Sequence, residues 1–234
     1  MSDTVPPSNP FAPTFSALPD VLPIFPLTGV LLLPGGRLPL NVFEPRYLAM
    51  VSDALARQRL IGMVQPVRAG GFAGDGLSEG DGPPPVQPVG CVGRIVSFSE
   101  TGDGRVLMTL AGQCRFAVAE ELPLAAGGYR QVRADYSRFR ADMDEVEAAL
   151  DRPRLLAALQ RYFAANNLST DWNALEQIDD DALISTVSMV APFDPAEKQA
   201  LLEAEDGTRR GKLLIGLLES AALAHESPGS SPRH

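Results

Sequence analysis

Two histidines, His225 and His234, are the only imidazoles in the 234-residue chain, and both stand near its C-terminal end. A Ser-His-Asp or Cys-His nucleophile needs an imidazole fixed within hydrogen-bond reach, so those hydrolytic classes fall away. The same shortage removes His-based zinc sites, and two isolated cysteines, Cys91 and Cys114, cannot supply the missing ligands. They form no C-x-x-C pair, fall in predicted strands and read as buried free thiols. Carboxylates are grouped at Asp142/Asp144/Glu145 and Asp179/Asp180/Asp181. Such groups suit acid–base chemistry or a hard cation, but aspartates just before an apolar helical run serve first as caps and solvated charge. Gly207-Thr208-Arg209-Arg210-Gly211-Lys212-Leu213 has the outline of a phosphate loop. It carries one residue too few between its glycines, ends in Leu213 where Mg²⁺ needs a hydroxyl, and follows a helix rather than a strand. No catalytic, cofactor-binding or metal-ligating residue is expected, and no cofactor.

The elements that would position any site divide into two kinds. From Leu22 to Tyr47 the chain is apolar yet holds five prolines and a Pro34-Gly35-Gly36 turn. Proline lacks a ladder donor and fixes φ, which excludes one long helix or an ordinary central strand. Short extended pieces are expected at Pro23–Leu27, Val30–Leu33 and Leu38–Asn41. A helix then opens at Pro45, with Tyr47, Leu48, Val51 and Leu55 on one face. Strands follow at Leu60–Val67, Val89–Phe98, Arg105–Leu110, Arg115–Glu121 and Tyr129–Tyr136. Thr101-Gly102-Asp103-Gly104 makes a hairpin turn, and a long Gly/Pro-rich loop spans Arg68 to Pro88. Strict alternation places Val92, Arg94, Val96 and Phe98 on one face of their strand. From Asp142 the period becomes helical, beginning with Met143–Leu150, and Pro153, Asp179 and Asp194-Pro195-Ala196-Glu197 mark further helix starts. A last helix is expected over about Thr208–Ala224. The fold class is α+β: a small β-barrel with an inserted helix, followed by a C-terminal helical bundle. Boundaries fall at a 1–19 disordered tail, a 20–140 β subdomain, a 141–225 helical subdomain and a 226–234 flexible tail.

The net charge is −9, and the whole acidic excess lies after residue 140. An acidic chain without a basic cluster is a poor polyanion binder, because phosphate neutralisation supplies most non-specific affinity. No window approaches the ~18 apolar residues of a membrane span, and the start, MSDTVPPSNPFAP, lacks the basic and apolar regions of a signal peptide. A cytoplasmic location is the expectation, without membrane contact.

Four ordered motifs carry a resemblance. The Leu22–Tyr47 run, Gly90-Cys91-Val92-Gly93-Arg94-Ile95, Gly112-Gln113-Cys114-Arg115-Phe116 and Asp194-Pro195-Ala196-Glu197-Lys198-Gln199-Ala200-Leu201-Leu202-Glu203 are similar to segments of the N-terminal, substrate-binding domain of Lon proteases. The last three match the family's "G-x-x-G-x-I", "G-x-x-R-F" and "EKQ-x-LLE". The chain resembles especially the standalone bacterial proteins built of that domain without the ATPase and protease segments. The resemblance covers about Leu22 to Leu223 and implies a PUA-like pseudo-barrel followed by a helical bundle. Full-length Lon cuts peptides with a Ser-Lys dyad. Only Lys198 and Lys212 are present here, both read as solvated lysines on polar helix faces, and nothing near them resembles the proteolytic segment.

The resemblance implies a non-catalytic polypeptide-binding module, with unfolded protein clients as partners and an adaptor or chaperone-like role beside a separate AAA+ protease. Candidate contacts are Phe43, Arg46 and Tyr47 at the strand-to-helix junction, and Phe72 in the Gly-rich loop. The junction residues have a second reading, packing the helix onto the barrel with Arg46 paired to a carboxylate. PUA-like folds also contact RNA, and Arg94, Arg105, Arg115, Arg130 and Arg133 on the strands keep an RNA-binding module as the alternative. A hydrolase is the weakest reading.

Overall fold

Proline and glycine decide where the first strands stop. In the computed structural model, which describes residues 13–67, 83–144 and 149–226 (224–226 by backbone alone), β1 is Val21–Pro26 and β2 is Arg37–Val42. Between them Val30–Leu33 forms no strand, contrary to expectation. Leu31, Leu32 and Leu33 instead plug the barrel as irregular chain and are almost wholly buried. The apolar content was informative, but burial did not require ladder pairing there. Helix α1, Pro45–Leu55, starts with proline in its first turn and buries Tyr47, Met50, Val51 and Ala54.

Strands β3 (Leu60–Val64), β4 (Val89–Glu100), β5 (Val106–Leu122) and β6 (Gln131–Asp135) complete one six-stranded sheet ordered β2-β5-β4-β3-β1-β6. An additional β5–β6 pairing closes five of these strands into a ring, with β2 attached outside it along β5. β1 and β3 pair in parallel, as a crossover through α1 demands, while the other pairings are antiparallel.

β5 is one strand of 17 residues where two were expected. The Gly112 segment bends the strand without ending it. Gly112 lies against the plug so closely that a Cβ there would sit 2.0 Å from the Leu33 carbonyl oxygen. The β4–β5 register shifts at this point and again between Ile95 and Ser97. The second shift puts Val96 out of pairing. Phe98 therefore faces with Met108, Leu110 and Ile95, not with Arg94, and the strict alternation read from the sequence fails at this bulge.

A 3-10 stretch, Ser137–Met143, leads from the sheet, and the helices are α2 (Arg152–Ala165), α3 (Trp172–Gln177), α4 (Asp180–Val190), α5 (Pro195–Glu203) and α6 (Gly207–Glu226). Met143 closes the 3-10 stretch, Asp144 is a bend, and Ala149 and Leu150 are irregular; residues 145–148 of the expected Met143–Leu150 helix are outside the described residues. Aspartates 151, 171, 179 and 194 cap the N-termini of α2 to α5 with their side chains. At α5, Asp194 and Glu197 form a full capping box. Helix α3 carried no clear sequence period. Phe72, His234 and most of both predicted tails lie outside the described residues.

Candidate functional site

The three junction residues separate in the structure. Tyr47 is 8% exposed and stacks on Phe25 with ring centroids 4.2 Å apart, so it pins α1 to β1. Burial raises its phenol pKa. Arg46 is exposed, pairs with Glu44 at 2.8 Å and lies over the Tyr47 ring. Phe43 is 60% exposed, with the Arg105 guanidinium 5.8 Å from its ring centre.

Phe43 has neighbours that the sequence reading missed. Nine large apolar side chains are exposed among the described residues, and four of them, Phe43, Val96, Phe98 and Leu107, sit at one end of the β2–β5–β4 ribbon. Leu107, 49% exposed, lies opposite Asn41, so it shares the outer face with Phe43 two residues on. Phe98, 48% exposed, is on the other face beside Met108. Recognising this cluster requires the register, because Val96 displaces Phe98 from its sequence-derived face.

A second constellation joins sheet to helices. The Arg115 guanidinium binds Asp142 through Nε and, at 2.7 Å, through Nη2. It also donates to the carbonyls of Leu202, Ala204 and Glu205 at the C-terminal end of α5, where the helix dipole favours a cation. Both side chains are nearly inaccessible. Gln65 donates to the Pro195 carbonyl at 2.9 Å and to Gln199, which donates to the Val89 carbonyl at 3.1 Å. Lys198, expected on a solvated face, is buried and donates to the Gly29 carbonyl at 2.9 Å. Desolvation lowers its pKa. Lys212 is exposed, as expected.

The buried lysine raises the Ser-Lys question again. The Ser188 hydroxyl is fully buried and has no hydrogen-bond partner among the described residues, so Lys198 does not engage it. Beside the joint lies a cleft of about 350 Å³ lined by Arg115, Asp142, Asp181, Ser185, Asp206 and Arg210 among others. Arg210 is buried; its Nε donates to the Leu201 carbonyl, and its Nη2 has no partner among the described residues. Burial first, and then the neighbouring Arg115 charge, bring its pKa down to about 10. The Gly207–Leu213 decoy is the first turns of α6, preceded by α5. Among the described residues no group of three His, Cys, Asp or Glu is placed to hold a metal ion, and no helix is long and apolar enough to cross a membrane.

The strand arginines are committed to other partners. Arg130 is buried against Glu121 at 2.6 Å, Arg133 pairs with Glu120 and Arg105 with Asp103.

Residues 21–220 match the family described as the ATP-dependent protease La (LON) substrate-binding domain. Lon protease 2 of Myxococcus xanthus is 29% identical over 202 residues, covering 86% of this chain and 24% of that protein. The Lon protease of Flavobacterium johnsoniae is 29% identical over 191 residues, covering 79% and 22%. The chain thus spans about a quarter of the length of the curated relatives it matches. Among solved structures, the Lon N-terminal domain protein of Xanthomonas campestris superposes with a TM-score of 0.57 at 22% identity, covering 84% of this chain and 97% of that one. The N-terminal domain of a Mycobacterium avium complex Lon protease gives 0.58 at 20%, covering 85% and 97%. The α+β expectation of a PUA-like barrel with an inserted helix and a following helical bundle holds. With its family motifs built into the ring and its joint, the chain belongs to the LON substrate-binding domain family.

Proposed function

We propose that this chain is a non-catalytic polypeptide-binding module that captures unfolded protein segments in the cytoplasm, in an adaptor or chaperone-like role beside a separate AAA+ protease. The observation that carries the reading is the gathering of Phe43, Val96, Phe98 and Leu107 at one end of the ribbon. Exposed apolar groups grouped on a soluble surface commonly mark interaction sites. Phe43 supplies contact area, Arg46 flanks it, and Tyr47 supports both from the core. Family membership supports the same reading, since the family is named for substrate binding.

The test is fluorescence anisotropy with a reduced, carboxymethylated protein as a permanently unfolded client, and its folded parent as control. Selective binding of the unfolded form is expected, weakened severalfold by Phe43→Ala combined with Leu107→Ala. Equal binding of both forms, or none of either, overturns the proposal. Casein incubated with the chain and ATP should remain intact.

A further inference from the structure

The ribbon has two open edges, and they differ. On β2, Gly112 N donates to the Gly36 carbonyl at 2.9 Å, which sets the phase of the ladder. Leu38, Leu40 and Val42 then face β5, and Arg37, Pro39 and Asn41 turn their main chain outward. Proline at the middle outward position removes a donor, a usual guard of an exposed edge.

The other edge carries no proline, and its bulge at Val96 lies at its near end, ahead of Ser97–Glu100. β3 pairs with β4 only as far as Arg94, with one more bond from Ile95 N to the Arg59 carbonyl. Arg59 then adopts φ 60 and carries its chain away from the sheet. Val96–Glu100 continues with its far side open, and all five residues are exposed. Thr101 N donates to the Arg105 carbonyl, so Ser97 and Ser99 face β5 while Phe98 and Glu100 turn N–H and C=O to the open side. Those four groups have no protein partner among the described residues.

We infer that the Val96–Glu100 edge of β4 binds an extended polypeptide segment by strand addition, the segment taking the place beside β4 that β3 leaves. The inference rests on the polypeptide-binding reading and locates it. Unpaired main-chain donors and acceptors in strand geometry are met most fully by another main chain. Five residues at about 3.3 Å each give a site about 17 Å long. Side chains set the preference. Phe98 asks for an apolar residue opposite it, and Glu100, on the same face two positions on and without an ion-pair partner among the described residues, asks for Lys or Arg. Ser97 and Ser99 leave the opposite face undemanding. The occupant is thus an alternating apolar and polar segment with a basic residue two places from the apolar one. A second copy of this chain fits less well. One five-residue strand pairing covers only a small part of the roughly 1,200 Å² that stable protein interfaces bury, and two acidic chains repel.

The probe is a fluorescein-labelled heptapeptide alternating Val with Thr and carrying Lys two residues from its central Val, titrated by anisotropy against the whole chain. Phe98→Pro deletes an edge donor without touching the β5 ladder, and Phe98→Lys adds a charge; each should weaken binding at least tenfold while urea unfolding remains a single cooperative transition. Two peptides N-methylated at alternate residues require no variant. One parity should lose tenfold or more and the other should bind like the parent. If unfolded protein and peptide bind but both methylated peptides and both Phe98 variants match their parents, strand addition is wrong and the polypeptide-binding reading stands. If neither binds, both fall. Self-association that Phe98→Lys abolishes would make a second copy the occupant and overturn the inference.

Discussion

Tyr47 and Phe43 are four residues apart, one on each side of the Pro45 helix start, and the structure assigns them opposite tasks. Truncating a buried aromatic removes its transfer free energy and leaves a cavity, so Tyr47→Ala should lose about 3 kcal/mol in urea unfolding. Phe43→Ala removes an exposed ring and should stay within about 0.5 kcal/mol, while weakening client binding. The two cysteines give a second residue-scale expectation. Cys114 has its thiol pushed up to about 12, by burial first and by the Asp142 charge second, and burial also raises Cys91. Both should resist an aromatic disulfide reagent at pH 8 until denaturant is added, since the thiolate is the nucleophile. The sign of the pH effect follows. A raised folded pKa means the folded state holds its proton more tightly, so this contribution is complete below the ordinary thiol value of 9.0 and is lost as pH climbs towards 12. Stability should therefore fall from pH 9 upward, helped by the Tyr129 phenol, also pushed up to about 12 by burial and its bond to Asp53. A Cys91→Ala, Cys114→Ala variant should show a shallower decline.

At the scale of elements, the three later family motifs supply close approaches and ties within the fold. Gly112 admits the Leu33 carbonyl, Arg115 holds Asp142, Phe116 fills the ring, and Lys198 and Gln199 reach back to Gly29 and Val89. Gly112→Ala would press a methyl into backbone that cannot retreat, so a loss of about 3 kcal/mol is expected, the upper end of overpacking costs, read from the urea midpoint. These elements were legible in the sequence to differing degrees. The hairpin turn, the Pro45 start and the Asp194 capping box were readable because each is a local rule with a named residue. The Val30–Leu33 plug was not, because strand and buried irregular chain look alike in an apolar run. The joined β5 and the Val96 bulge were not either, since register is settled by partners far along the chain. The apolar end of the ribbon inherits that blindness: Phe43 was picked out next to a helix start, whereas pairing alone brings Leu107 onto its face and Phe98 to the opposite face of the same ribbon.

At the scale of the molecule, ring and helices are tied by side chains from both, with Arg115 and Asp142 at the centre and Gln65, Lys198 and Gln199 at the side. An interface built this way should make the two parts unfold together, and the chain carries a reporter for each. Its only tryptophan, Trp172, is in α3, whereas both cysteines are in the sheet. Trp172 fluorescence and thiol accessibility should thus change at one urea concentration in the native sequence. Asp142→Ala strands a buried guanidinium, a change that costs about 3–5 kcal/mol when one member of a buried pair is removed. Arg115 keeps its carbonyl partners at and just past the end of α5, so the penalty falls on the tie through the 3-10 stretch. The two midpoints should then separate, with Trp172 reporting loss of the helices before the thiols open. A variant with one shared, lowered midpoint would mean that the remaining ties through Gln65, Lys198 and Gln199 suffice to keep the parts cooperative. Separation matters for function because the ribbon end that carries Phe43, Phe98 and Leu107 belongs wholly to the sheet. In urea between the two midpoints, the Asp142→Ala variant should still bind the alternating heptapeptide, placing the binding surface on the ring alone.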